Sequence, residues 1–176
     1  KVVHDNTYGL KVAIDKTVAS GGNYLTLPSG TYLANKIIIP TSFTIKGNGK
    51  NTVLKQQYFA TDVNDDAGTS LDYDGNFIGI AVTNGKDITI SDLTIDGNSS
   101  NNVTFDGTLD NYLVYFRGVN SALFKDMEIR NTPGGGLYIY DSKRVSVENS
   151  TFVDGCITDV DPFKPLDAQN SETLRV

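Results

Sequence analysis

One cysteine, five prolines and no long apolar run set the first limits on this 176-residue chain. With Cys156 alone, no intrachain disulfide can form, so a small disulfide-built scaffold is excluded. In its Gly-Cys-Ile-Thr setting that cysteine reads as a small buried hydrophobe rather than a nucleophile. No stretch approaches the roughly 20 apolar residues that a membrane span requires, so no membrane insertion is expected. Neither a signal peptide nor an initiator Met opens the chain, and a processed or excised form is expected. Fifteen Lys and Arg face 21 Asp and Glu, a net charge of −6, and the cations do not cluster. Nucleic acid is therefore disfavoured as the main partner, because phosphate binding needs a basic footprint. Unaided binding to a strongly anionic polymer is disfavoured for the same reason.

What is present is turn and strand chemistry. Hydrophobic residues make up 39% of the chain, with 17 Gly and nine Tyr among many Asn, Thr and Ser. That balance predicts many short strands and turns. Three ten-residue stretches, Asp87–Asp96, Ser121–Arg130 and Arg144–Val153, superimpose without gaps. Apolar residues occupy the second, fourth and ninth columns, and Asp or Asn the sixth. Alternation at period two is the signature of half-buried strands, and the Asp/Asn breaks it where the chain must bend. Each template is preceded by another alternating strand: Ile80–Val82, Val114–Phe116 and Leu137–Ile139.

A coil therefore holds three strands. Successive coils start 34 residues apart, from Ile88 to Ala122, and then 23 apart, from Ala122 to Val145. The extra residues fit a Ser/Asn/Gly-rich loop over Asn98–Asp110. Units of this size cannot each bury a face alone and must stack as a solenoid. Phe43–Gly47 matches the template's first half, so a degenerate coil precedes the three clear ones. Thr173–Val176 matches Arg144–Val147, which predicts that the chain stops partway through a strand and that the polypeptide continues beyond Val176. At the front, Leu10, Ala13, Ile14 and Val18 fall at helical spacing between Asn6 and Ser20, and Gly21-Gly22 ends the helix. This helix would cap the first coil, with strands at Tyr24–Leu27 and Lys36–Pro40. Residues 1–40 thus read as cap and first strands, and 41–176 as coils.

The order of helix, Gly-Gly, strand, Leu27-Pro28-Ser29-Gly30-Thr31-Tyr32, strand, Lys46-Gly47-Asn48-Gly49 and Thr52-Val53-Leu54 resembles the N-terminal module of the pectate-lyase superfamily. Leu93-Thr94-Ile95-Asp96-Gly97-Asn98 adds to the likeness. It implies an all-β right-handed parallel β-helix with an N-terminal capping helix, truncated at the C-terminus. The superfamily includes pectin lyases, polygalacturonases, alginate epimerases and the β-helical spikes of bacteriophage tails. The resemblance is strongest to the tailspikes, which implies a virion-borne homotrimer that binds and degrades a bacterial surface polysaccharide. Two alternatives stay open: a secreted polysaccharide lyase, glycoside hydrolase or epimerase, and a non-catalytic β-solenoid adhesin.

The alternation also predicts a site. Ala81, Tyr115 and Tyr138 should point outward and stack, with Thr83, Arg117 and Tyr140 as a second ladder and Asn84, Gly118 and Asp141 next to it. Tyr115, Arg117, Tyr138 and Tyr140 are the expected substrate-binding residues, since sugars pack on aromatic rings and are oriented by fixed polar groups. Such ladders also simply stabilise sheets. Glycoside hydrolysis needs two carboxylates at a defined separation. Asp141, Asp159 and Asp161 are the expected catalytic residues, with Asp154 nearby, although bend and surface carboxylates look the same in sequence. The polygalacturonase pattern of paired Asp, His-Gly and Arg-x-Lys is absent, and His4 precedes the cap. Asp62, Asp65, Asp66, Asp72 and Asp74 gather in one segment, but no bidentate Glu closes a calcium loop. No metal and no cofactor are expected.

Overall fold

The sixth template column is where the chain turns. Asp92, Asp126 and Asn149 adopt left-handed φ values of 57°, 54° and 46°, a conformation that Asn and Asp tolerate better than other non-glycine residues. In this computed structural model, which describes residues 6–56, 77–101, 112–132, 135–153 and 174–175, the bends link short strands that pair only in parallel.

The chain is a right-handed parallel β-helix, and its described residues form five three-strand coils. The coils are β1 (Tyr24–Thr26), β2 (Gly30–Leu33) and β3 (Ile37–Ile38); β4 (Thr44–Lys46), β5 (Thr52–Lys55) and β6 (Phe77–Thr83); β7 (Ile88–Ser91), β8 (Thr94–Asp96) and β9 (Tyr112–Arg117); β10 (Ala122–Lys125), β11 (Glu128–Arg130) and β12 (Gly135–Tyr140); and β13 (Val145–Glu148), β14 (Thr151–Val153) and β15 (Leu174–Arg175). The first strands of all coils form one sheet, the second strands another and the third strands a third. All three template stretches pair in the register the sequence predicts, with Ile88, Ala122 and Val145 in one row and Ile95, Ile129 and Phe152 in another.

Stacking turns each apolar column into a ladder inside the solenoid. Ile45, Ile90, Phe124 and Val147 line the first sheet, while Ile37, Ile80, Val114 and Leu137 line the third. Ile90, Phe124, Ile129, Val114, Phe116 and Leu137 are completely buried. Each such side chain contributes about 1.5–3 kcal/mol from leaving water. In the first sheet the row Tyr24, Thr44, Thr89, Leu123 and Ser146 advances by 20, 45, 34 and 23 residues. Most of the difference falls between second and third strands, in the long connections from Lys55 to Phe77 and Asp96 to Tyr112.

The cap is helix α1 (Thr7–Ala19). It ends in a Schellman turn: Gly22 N–H donates to Thr17 O at 2.8 Å, Gly21 N–H to Val18 O at 2.9 Å, and Gly21 takes φ 77°. Its start is stitched to the edge of the second sheet, where Asn6 donates to Leu33 O at 2.7 Å and accepts from Leu33 N–H at 3.0 Å. The last residue of that edge strand is thereby paired. Leu10 and Ile14 are buried as expected, but Val18 is 47% exposed, so the apolar face covers fewer turns than its spacing suggested.

A second correction concerns the far end. Leu174 and Arg175 pair with Leu137 and Tyr138 in the third sheet, not beside Val145 and Ser146 in the first. A four-residue alternation fits either sheet, and only the path of the chain chooses between them.

Candidate functional site

The outer face of the third sheet is built by alternation. With Ile80, Val114 and Leu137 turned inward, the next residues pair as Ala81, Tyr115 and Tyr138, and those two further on as Thr83, Arg117 and Tyr140. Both expected ladders are present. The rings of Tyr115 and Tyr138 stack at 5.1 Å with planes 11° apart. Tyr138 and Tyr140 lie at 6.1 Å, also within 11° of parallel. The Arg117 guanidinium sits over the Tyr140 ring at 5.7 Å from its centroid, a cation–π distance.

Close parallel stacking has a chemical consequence. A ring with a neighbour at 5.1 Å has one face largely taken by that neighbour, so the surface offers ring edges and hydroxyls more than open faces. Tyr140, 52% exposed, is the most open member. Ala81 was expected to lie open on this face. It is flanked in register by the larger Ile38 and Tyr115 and is only 1% exposed.

Asp141 follows Tyr140 at a left-handed bend, φ 45°, and is exposed. Asn84 and Gly118 occupy the equivalent bends in earlier coils, with φ 52° and 64°. Their N–H groups donate to Arg117 O at 2.8 Å and Tyr140 O at 3.0 Å. Bend geometry alone accounts for an Asn, a Gly and an Asp at these positions. Asp159 and Asp161 lie outside the described residues, as do Asp154, Cys156, His4 and the acidic stretch from Asp62 to Asp74. Among the described residues, no group of three or more His, Cys, Asp or Glu side chains is placed to hold a metal ion.

A second polar cluster, on the outer side of the second sheet, was not singled out from sequence. Lys55, Asp96 and Arg130 are successive register partners. Asp96 Oδ2 accepts from Arg130 Nε at 3.0 Å, and Oδ1 accepts from Asn98 N–H at 2.9 Å and Asn131 Nδ2 at 3.2 Å. Arg130 Nη1 also donates to Glu128 Oε1 at 3.0 Å, and Lys50 Nζ pairs with Glu128 Oε2 at 3.0 Å. Burial pushes the Asp96 carboxyl up. The hydrogen bonds from Asn98, Asn131 and Arg130, with the charge of Lys55, outweigh it and hold the group below the usual aspartate range. Glu128 is also held low, chiefly by the hydrogen bond from Lys50. The only visible signal would have been Asp96 and Arg130 sharing the tenth template column, opposite charges one coil apart. Because its charges are already matched, this cluster reads as a tie between coils.

No family model matches the chain, and no curated protein sequence matches it. Solved structures do. A candidate glycosyl hydrolase from Parabacteroides merdae ATCC 43184 superimposes with a TM-score of 0.69 at 19% identity, over 98% of this chain and 73% of that one. The A-module of Azotobacter vinelandii mannuronan C-5 epimerase AlgE4 gives a TM-score of 0.55 at 19% identity, over 86% of this chain and 46% of its own. The AlgE6 A-module gives 0.54 at 20% identity, over 84% and 44%. The chain thus spans less than half of either epimerase module. At these identities the likeness establishes the shared β-helix fold.

Proposed function

We propose that this chain is part of a polysaccharide-acting β-helix protein, and that the glycan lies on the outer face of the third sheet against Tyr115, Arg117, Tyr138 and Tyr140. The observation that carries the reading is the tyrosine–arginine surface itself: three near-parallel rings with a guanidinium seated on the outermost. The tyrosine hydroxyls suit the O–H groups of a sugar, and a fixed guanidinium orients hydroxyl or carboxyl oxygens. Support also comes from the solved structures that share the fold, a candidate glycosyl hydrolase and two mannuronan epimerase modules. The net charge of −6 favours a neutral or weakly charged glycan over a strongly anionic one.

Within this reading Asp141, Asp159 and Asp161 are the carboxylates proposed for bond cleavage. The narrower version is a virion tailspike, a homotrimer acting on bacterial surface polysaccharide. The test is binding of the protein to a panel of bacterial and plant polysaccharides. Arg117→Ala and Tyr140→Ala should each weaken a detected interaction about tenfold, which corresponds to about 1.4 kcal/mol. Unchanged affinity in both variants, or no binding across the panel, sinks the site. Native mass measurement separates the narrower version, since a stable monomer counts against a trimeric spike.

A further inference from the structure

Gln56 is a polar side chain in an apolar interior. It follows β5 directly and is 3% exposed. Its backbone is fully engaged: the N–H donates to Asp96 O at 2.8 Å, and the carbonyl accepts from Asn98 Nδ2 at 3.1 Å. Its side-chain Oε1 has no hydrogen-bond partner, alone among the buried side-chain polar atoms of the described residues. A buried acceptor without a donor is costly, and structures rarely keep one without a partner.

Beside Gln56 lies a small pocket walled by Ile37, Leu54, Gly79, Ile80 and Leu113, which leaves about 10 Å³ for the centre of a water molecule. That is close to what one water needs. Gly79 and Leu113 belong to a β-bulge. Phe77 pairs with Tyr112 and Ile80 with Val114, so Ile78 and Gly79 together oppose Leu113. A bulge leaves part of its backbone outside the ladder. Glycine is required at 79, because a β-carbon there would run into the Leu113 carbonyl.

We propose that this pocket is a binding site for one structural water, which donates one hydrogen to Gln56 Oε1 and the other to a carbonyl of the bulge. An orphan acceptor and the residues of a bulge line one water-sized space, and a single water has two hydrogens to give to them. The site has a structural role. Because side chains alternate at period two, one extra residue decides which members of β6 face outward. The water-held bulge thereby keeps Thr83 in the ladder with Arg117 and Tyr140.

Two measurements test this. On the unsubstituted protein, water–protein NOE spectroscopy should show a long-lived water against the Gln56 side-chain amide; no such cross-peak overturns the proposal. Gln56→Leu keeps the bulk and removes the acceptor. With a bound water, that change strands the bulge and lowers Tm by roughly 2–4 °C. If the pocket is dry, the same change only removes an orphan acceptor, and an equal or higher Tm overturns the proposal. The NOE does not depend on whether the variant folds.

Discussion

Asp96 lies on the outer side of its sheet, yet it is 4% exposed and stays charged because four groups favour the ionised form. Its folded pKa is depressed, so its contribution to stability is present above the unfolded aspartate value of about 3.9. That contribution is lost as pH falls through the lower folded value. Asp96→Ala should cost roughly 2–4 kcal/mol at pH 7, since it leaves Arg130 and two amide donors without their acceptor. Urea midpoints at pH 7 and pH 3 check the linkage, and the drop between them should be smaller in the variant. Asp126 behaves differently. It holds a left-handed bend next to Asp92 in the neighbouring coil, with Lys125 3.9 Å away on an exposed surface. Asp126→Asn should therefore change stability by less than about 0.5 kcal/mol. Asp126→Val, β-branched at φ 54°, should cost about 1–2 kcal/mol, which thermal unfolding of the pair would show.

At the scale of the strand and the turn, position 47 is the exception in the bend column, a glycine where later coils have Asp or Asn. A β-carbon there would meet the Asp92 carbonyl and the side chains of Leu93 and Thr52. Gly47→Ala should force β4 and β7 apart at a cost of about 2–3 kcal/mol, seen as a fall of several degrees in Tm. The bend column also explains what sequence could reveal. Asp92, Asp126 and Asn149 were legible because a turn residue interrupts a period-two pattern three times in one register, and Tyr115 and Tyr138 followed by alternation alone. Strands as short as β3 carry too little pattern to bound, and Leu174–Arg175 fits two sheets equally well. The Asp96–Arg130 tie joins residues 34 positions apart, each unremarkable in its own strand. Gln56 gave no signal, because it stands at the end of β5, where no repeat of the pattern follows in sequence to fix which way its side chain turns.

For the whole molecule, the ladders make stability a matter of neighbouring coils. Lys50, Glu128, Arg130 and Asp96 link the second, third and fourth coils, while α1 closes one end. Ile14→Ala should remove about 2–5 kcal/mol at that end, and hydrogen exchange should show the first coil opening before the central ones.

The uneven coil lengths have a different meaning for change over time. An advance of 20 residues and one of 45 both add a single strand to the first sheet, so length gained between the second and third sheets leaves the axial rise untouched. That corner is a graft position. New loops can be exchanged there, by evolution or in a designed library, while the scaffold keeps its pitch and its ladder of rings.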